Sequence, residues 1–405
     1  MNNRLTLVFI LATVLIDAIG IGIIFPVMPD LIENVTGGTL SDASLWGGVL
    51  AASFAVMQFV FGPVVGNLSD RFGRRPVMLA ALAVMAFDYT IMAVAGTIWL
   101  LLIGRVVAGA TAATYTTAYA YMADISAKKD RARNFGLIGA GFGLGYIAGP
   151  FLGSLLSTLG IRAPFWGAAA LAATNLAFGF AILPESVTDR IRRPFSWARA
   201  NPLNSFRVIG QLPGLGRLLT LYLVYSVALH VYETVWAYYG KAQFGWTPYM
   251  IGISLAAYGL FYTLVQAFAI GPVIRRFGEY RAAFYGLIIE LIACVVFVFL
   301  TSGPAAIALT AFAALGSICG PAMQGMMSSG TPYDQHGELQ GVVASMTALG
   351  MILSPALMNG TFWWFTRPGA AIHAPGAPFA LAALLLVGCC IILGARPIEA
   401  APDGV

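Results

Sequence analysis

"GNLSDRFGRRPVML", Gly66 to Leu79, is a charged island between two apolar runs. Gly66 and Gly73 permit a tight turn. Asp70 can cap a helix start and attract an arginine, and Arg71, Arg74 and Arg75 anchor one face. Taken alone, the stretch reads as a solvated basic loop with an aspartate cap. Its flanks say more. The runs on either side, about 46–66 and 77–96, each approach the roughly 20 apolar residues that a bilayer crossing needs.

Working outward, ten further runs bring the total to twelve: about 6–28, 46–66, 77–96, 98–122, 134–157, 164–183, 215–239, 248–272, 281–301, 304–328, 337–360 and 376–396. The 405 residues are 59% apolar and 10% charged, where soluble domains carry roughly 25% charged residues. The pattern predicts an all-α membrane protein of twelve transmembrane helices. The first run starts close to Met1 and has no small-residue cleavage site after it. It is expected to be a retained span, not a signal peptide.

Net charge is +5, which in a soluble protein would point to a nucleic-acid partner. Here the basic residues sort by loop. With the N-terminus inside, the cytoplasmic segments hold Arg4; Arg71, Arg74, Arg75; Lys128, Lys129, Arg131, Arg133; Arg190, Arg192, Arg193, Arg199, Arg207, Arg217; Arg275, Arg276, Arg281; and Arg396, eighteen of the 22. The outer loops keep Arg162, Lys241 and Arg367, and Arg105 alone falls inside a span. This positive-inside pattern predicts two cytoplasmic termini, with the lipid bilayer as partner and no nucleic acid. Cys294, Cys319, Cys389 and Cys390 sit in spans, without metal-like spacing or a disulfide framework, and are expected to pack as apolar residues.

The longest interior loop, about 184–214, is basic and rich in proline. It divides the chain into a six-helix half (1–185), a cytoplasmic connector (186–214) and a second six-helix half (215–405). Amphipathic stretches with Trp197 and Phe206 suggest that part of the connector lies on the inner membrane surface. The halves echo each other: "GNLSDRFG" begins at Gly66 and "GPVIRRFG" begins 205 residues later at Gly271, both after the second span of their half. Parallel six-span repeats with a binding site near the midplane are a standard transporter architecture.

The spacing Gly–Asp–Arg–Gly–Arg–Arg in the loop after span two resembles the loop signature of the major facilitator superfamily. The resemblance implies the twelve-helix major facilitator fold, with a conformational gate at Gly66, Asp70, Arg71, Gly73, Arg74 and Arg75. In that gate Asp70 would tie the turn to the cytoplasmic ends of neighbouring helices. "GAGFGLGYIAGPFLG", Gly139–Gly153, superficially matches a dinucleotide fingerprint. It lies inside an apolar span with no strand before it, so that reading is rejected. Its small residues predict close helix packing. It also resembles the glycine–proline motif of drug/proton antiporters, here Gly141, Gly145, Gly149, Pro150 and Gly153, which in that family packs span five against a span of the other half. "DAIGIGIIFPVMPDL", "LLIGRVVAGATAAT", "YMADISAKKDRARNFG" and "LPES" are similar to the first half of tetracycline/proton antiporters of Gram-negative bacteria. In the second half "FGWTPYMIGISLAAYGL" and "GELQG" look similar too.

Asp17, Asp88, Glu233 and Glu290 fall inside spans. A carboxylate at bilayer depth costs at least ~2.5–3.5 kcal/mol on insertion scales, so such residues are functional candidates by default. A buried carboxyl favours its neutral form and can release a proton when water or a cation arrives; an acid paired for structure is the alternative. The resemblance implies proton coupling and charge relay by Asp17, Asp88 and Glu290, the last an aspartate in the family, together with Arg105. Arg105 is expected to pair with Asp17 or Asp88. Gly20 and Gly22 beside Asp17 leave room for a ligand or water.

Departures from the family concentrate where its members contact substrate or proton. Its span-eight histidine is Tyr262 here, and a tyrosine, with an ordinary pKa of ~10, is a poor proton carrier at neutral pH. A span-seven glutamine is replaced by "VALHVYETVWAYY", in which His230 and Glu233 stand at i, i+3. Tyr232, Trp236, Tyr238 and Tyr239 follow, either as an interfacial belt or as a face for a flat ligand. Gln58 and Gln266 match family amides and offer hydrogen bonds in an apolar cavity. The candidate substrate-binding set is Asp17, Gln58, His230, Glu233, Trp236, Tyr262 and Gln266.

Together these features point to a monomeric antiporter of the bacterial inner membrane. It would exchange protons for a flat amphipathic drug, above all tetracycline. The resemblance implies that Mg2+ travels with the drug as a chelate; no intrinsic cofactor is expected, and no carboxylate cluster resembles a metal cage. A same-fold transporter of another drug or metabolite is the alternative. A membrane enzyme or receptor finds no support, since no catalytic constellation, nucleotide loop or sensory domain is present.

Overall fold

A computed structural model describes residues 3–112, 114–126, 130–187, 194–202, 215–332 and 335–394. Among them there is no strand. Eleven continuous helical stretches are long and apolar enough to cross a bilayer. One of them, Pro248–Phe299, has 52 residues. At 1.5 Å per residue it would run to about 78 Å, more than twice the ~30 Å hydrocarbon core. It holds two spans, because Gly278 (φ 76°, ψ 163°) breaks the helix. The total is therefore twelve.

Span one is Asn3–Ile24, continued through a 3-10 turn, Phe25–Val27, into Met28–Thr36. Spans two and three are Leu40–Phe72 and Arg74–Val94. Span four has two pieces, Ile98–Thr111 and Thr114–Ile125. Spans five and six are Arg131–Ser157 and Ala163–Ile182. Span seven is Gly216–Leu229 and Val231–Phe244, joined at His230. Span eight runs from Pro248–Leu264 through a π-helical segment, Val265–Ala269, to the break at Gly278, and span nine ends at Phe299. Span ten is Gly303–Gly316 and Cys319–Ser329, span eleven His336–Thr366, and span twelve Ala377–Gly394.

The internal repeat extends to the backbone. Gly73 has φ 111° and ψ 155°, and Gly278, 205 residues later, has φ 76° and ψ 163°. Residues with a Cβ avoid this conformation, so glycine at both places lets the chain reverse between consecutive spans.

The chain forms two compact units, Met1–Gly38 with Ser53–Pro202 and Thr247–Ala256, and Thr39–Ala52 with Leu203–Trp246 and Ala257–Val405. The units thus follow the two sequence halves except for the first turns of spans two and eight. Within the second unit, Gly48 admits Asn359 and the Pro355 carbonyl of span eleven; a Cβ there would lie 2.9 and 3.0 Å from them. Within the first unit, Gly252 admits the Pro150 carbonyl, 2.5 Å from a Cβ at that place. Small residues let helix backbones approach where lipid offers no hydrophobic drive to pair them.

The core of the first unit gathers Phe9, Ile10 and Val14 of span one, Met78 and Leu82 of span three, Tyr121 and Met122 of span four, and Ile138 of span five. Thr13 Oγ1 donates to Asn175 Oδ1 at 3.1 Å, tying span one to span six. Arg162 donates to the carbonyls of Ala93 and Ala95, both at 2.8 Å, and so closes the end of span three. Arg217 does the same for span twelve through Ile392 and Leu393. In the connector a short helix, Trp197–Ala200, carries a largely exposed Trp197 with Phe195 edge-on at 5.0 Å. Phe206, Lys128, Lys129, Arg190, Arg192, Arg193, Arg207 and Arg396 lie outside the described residues.

Candidate functional site

The loop between spans two and three is built around carboxylates. Asp70, in the last turn of span two, pairs with Arg74 across the Gly73 turn at 2.6 Å. Arg74 also reaches Asp124 of span four (3.2 Å) and donates to Ser69 Oγ (2.6 Å). The start of span three is capped by Glu185, not by Asp70. The backbone N–H groups of Arg74 and Arg75 donate to its two carboxylate oxygens at 2.8 and 3.2 Å, a favourable place for an anion at a helix N-terminus. Gly73 makes the approach possible: a Cβ there would lie 2.6 Å from the Glu185 Cδ. Arg75 donates to the Phe180 carbonyl (3.0 Å), and Ser186 Oγ to Asp124 (3.0 Å). Turn glycine, arginines and acids thus form one charge-assisted network. Glu185 and Asp124 were not singled out in the sequence, although both lie in the quoted stretches "LPES" and "YMADIS".

Arg105 of span four makes an ion pair with Asp88 of span three, not with Asp17. Asp88 is 2% exposed and Arg105 11%. The guanidinium also lies 5.3 Å from the Phe54 ring and 3.7 Å from Met92 Sδ. Gly104 seats the acid, since a Cβ there would lie 2.6 Å from Asp88 Oδ1. Asp17 is half-buried and forms no ion pair among the described residues. The expectation that Gly20 and Gly22 leave it room for a ligand is corrected. Gly20 faces the Tyr89 hydroxyl, 3.0 Å from a Cβ, and Gly22 faces Pro150 Cδ, 2.7 Å from one. Both glycines are used for helix packing.

The span-five glycines face span one. A Cβ on Gly145 would lie 2.5 Å from the Leu15 carbonyl, one on Gly149 2.7 Å from Gly22 Cα and the Ile19 carbonyl, and one on Gly153 2.9 Å from the Ile23 carbonyl carbon. Gly141 is looser, 3.6 Å from the Leu11 carbonyl. The resemblance implied packing against the other half: Pro150 and Ser154 do meet Gly252 of span eight, while the glycines meet span one of their own half. Gln58 donates one amide N–H to the Ala112 carbonyl at 3.4 Å.

In the second unit, span seven breaks at His230. Its Nδ1 lies 2.6 Å from the Ser226 carbonyl, which can only accept, so Nδ1 carries the hydrogen. Nε2 is left 3.9 Å from the carboxylate of Glu233, which is 44% exposed. Tyr262 is also exposed, lies 6.0 Å from the ring of Tyr258, and stands four residues before Gln266. Gln266 sits in the π-helical segment, a feature that recurs at functional sites. Trp236 differs from expectation. It is 3% exposed and packed among Tyr239, Trp246, Phe297 and Phe379 at 5.2–6.2 Å. Tyr238 and Tyr239 are buried with it, and the Tyr239 hydroxyl donates to the Phe297 carbonyl at 2.6 Å. Aromatic edge-to-face packing fills this core and leaves no open face on these three rings for a ligand. Glu290 of span nine is wholly buried, and the Tyr232 hydroxyl donates to its Oε2 at 3.3 Å. Among the described residues no group of three or more His, Cys, Asp or Glu is placed to hold a metal ion.

Known proteins bear on these features. The chain is 41% identical to "Tetracycline resistance protein, class C" of Escherichia coli, over 89% of this chain and 91% of that protein. It is 34% identical to the class D protein of Salmonella ordonez, over 97% and 98%. "Multidrug resistance protein 2" of Bacillus subtilis is 28% identical over 88% of each chain. Among solved structures, a bacterial homologue of the human lysosomal transporter Spinster shares the fold, with a TM-score of 0.76 at 15% identity over 96% of each chain. The human organic anion transporter MFSD10 gives 0.70 at 22% identity, over 97% of this chain and 100% of that one. Residues 10–240 and 218–404 match the Major Facilitator Superfamily. With twelve spans, a repeated glycine turn and these full-length relatives, the chain belongs to the Major Facilitator Superfamily and is a membrane transporter, not an enzyme.

Proposed function

We propose that the protein exports tetracycline, carried as a magnesium chelate, across a bacterial inner membrane in exchange for protons, by alternating access and with both termini in the cytoplasm. The observation that carries the substrate class is the 41% identity, over nine-tenths of both chains, to a tetracycline resistance protein. Coupling is assigned to the acids that lack a cationic partner. Asp88 is committed to Arg105, which makes that pair a charge relay or a structural clamp. Asp17 and Glu290 form no ion pair among the described residues. Each can therefore alternate between a proton-bearing form and a form that needs water or a cationic chelate. His230, Glu233, Tyr262 and Gln266 are assigned to the drug site, and Mg2+ enters and leaves with the drug as substrate.

The glycine turns at Gly73 and Gly278, with the Asp70–Arg74–Asp124 network, supply the cytoplasmic gate. A second reading, transport of related flat drugs with weaker tetracycline export, is favoured by Tyr262 at the family's histidine position and by the likeness to a multidrug resistance protein. Resistance measured across drug classes in a pump-deficient host decides between them. Strong protection against tetracycline supports the first reading, and protection confined to other flat drugs supports the second. No protection against any of these drugs contradicts both.

A further inference from the structure

Glu290 stands where the tetracycline antiporters that this chain resembles carry an aspartate, and its surroundings are shaped for the longer acid. The side chain is 0% exposed. It runs from span nine onto Gly316, the last residue of the first helix of span ten. A Cβ at position 316 would lie 2.7 Å from Glu290 Cδ and 2.8 Å from Oε1, and would also collide with Cγ. Four residues before Glu290, Gly286 brings the two spans together. A Cβ there would lie 2.8 Å from Cys319 Cβ and 2.9 Å from the Gly316 carbonyl. The seat therefore cannot widen by sliding span ten away without breaking a second close contact.

Among the described residues one polar group, the Tyr232 hydroxyl, hydrogen-bonds the carboxyl. That hydroxyl donates to Oε2, and Oε1 has no hydrogen-bond partner among the described residues. Tyr232 is itself held in place, stacked on Tyr258 at 6.0 Å and packed against Trp236, Phe297 and Phe379 at 5.7–6.3 Å. The titratable groups near the carboxyl are Tyr225 and Tyr232 of span seven, Tyr258 of span eight, Cys294 of span nine and Cys319 of span ten. Cys389 and Cys390 of span twelve lie beyond Cys319. No lysine, arginine or histidine pairs with Glu290 among the described residues.

We infer that Gly316 and Tyr232 are positioning residues of an occluded carboxyl site. Gly316 supplies the volume that a glutamate needs at position 290, and the Tyr232 hydroxyl holds Oε2 so that Oε1 is the oxygen that exchanges the proton. The inference rests on the proposed role of Glu290 in proton coupling. A methyl group at 316 displaces the carboxyl. An aspartate at 290, one methylene shorter, withdraws from that methyl group.

The test is a cycle of wild type, Glu290→Asp, Gly316→Ala and the double variant. Gradient-driven drug accumulation in vesicles and the thermal midpoint of the purified protein are measured for each. Gly316→Ala is expected to cut accumulation at least about tenfold, the scale of a small misplacement of a reacting group, and to lower the midpoint. The double variant is expected to recover both to the level of Glu290→Asp alone. Wild-type accumulation and midpoint in Gly316→Ala, or a double variant no better than Gly316→Ala, overturns the role of Gly316. Glu290→Gln separates the two layers. If it accumulates drug as wild type does, the coupling role of Glu290 falls, and the midpoints alone decide whether Gly316 seats the side chain. Tyr232→Phe keeps the ring packing and removes the hydroxyl. It is expected to alter the pH profile of accumulation, and an unaltered profile overturns the part assigned to Tyr232.

Discussion

Replacing Asp88 with asparagine leaves Arg105 with no counter-charge in a place built for one. Asp88 is 2% exposed and Arg105 11%, and the remaining neighbours, the Phe54 ring and Met92 sulfur, satisfy a guanidinium poorly. Breaking a buried pair by removing one partner typically costs about 3–5 kcal/mol, because the survivor is left desolvated and uncompensated. Removing both charges is much milder, since a buried pair and a well-packed apolar replacement are often close in free energy. Asp88→Asn and Arg105→Gln should each lower the thermal midpoint of the detergent-purified protein sharply. The double variant, Asp88→Asn with Arg105→Gln, should fall short of the summed single losses, with a coupling of about 0.5–3 kcal/mol. Asp88→Glu should also be destabilising, because Gly104 leaves no space for another methylene beside Oδ1. Strict additivity of the two single changes, or a midpoint for Asp88→Asn equal to wild type, would refute the pairing.

Glu185→Gln removes the anion that receives the Arg74 and Arg75 N–H groups. It should lower the thermal midpoint by the equivalent of about 1 kcal/mol, the usual worth of a helix cap, with Glu185→Asp intermediate; an unchanged midpoint for Glu185→Gln counts against the cap. Gly149→Ala puts a methyl group against the backbone of Gly22 and Ile19. An overpacking cost of about 1–3 kcal/mol should appear as lost export in a vesicle assay, whereas Gly141→Ala, with open contacts, should be near wild type. Tyr262→His restores the family residue beside Gln266 and should raise tetracycline transport; an unchanged or lowered rate shows that the departure is not what shapes the substrate range.

The twelve spans were legible because each is a run of apolar residues long enough to cross a bilayer, a signal that survives without any knowledge of packing. The turn after span two was legible too, since glycine at 73 and 278 answers a backbone requirement that recurs 205 residues apart. Partner choice was not. The residues alone left Arg105 between Asp17 and Asp88, and only the packing of spans three and four directs it to Asp88. The aromatic run after His230 was ambiguous for the same reason. Helical spacing shows that Trp236 and Tyr239 lie on one side, but not that Phe297 and Phe379 from distant spans close over them. Glycine is the least legible residue of all. Gly20 and Gly22 suggested open space beside Asp17, yet Tyr89 and Pro150 occupy it, while Gly316 drew no notice although it seats a membrane acid.

The central claim, that drug export is driven by proton exchange through an acid within the membrane, is tested most directly by watching protons move when drug is added. In inside-out vesicles energised to an acidic interior, a quenched pH-sensitive dye reports the gradient. Adding tetracycline with Mg2+ should restore fluorescence in vesicles carrying the wild-type protein, as protons leave while drug enters. Vesicles carrying Asp17→Asn or Glu290→Gln should show little recovery. Drug accumulation without any proton movement, or equal recovery in vesicles lacking the protein, would contradict the account.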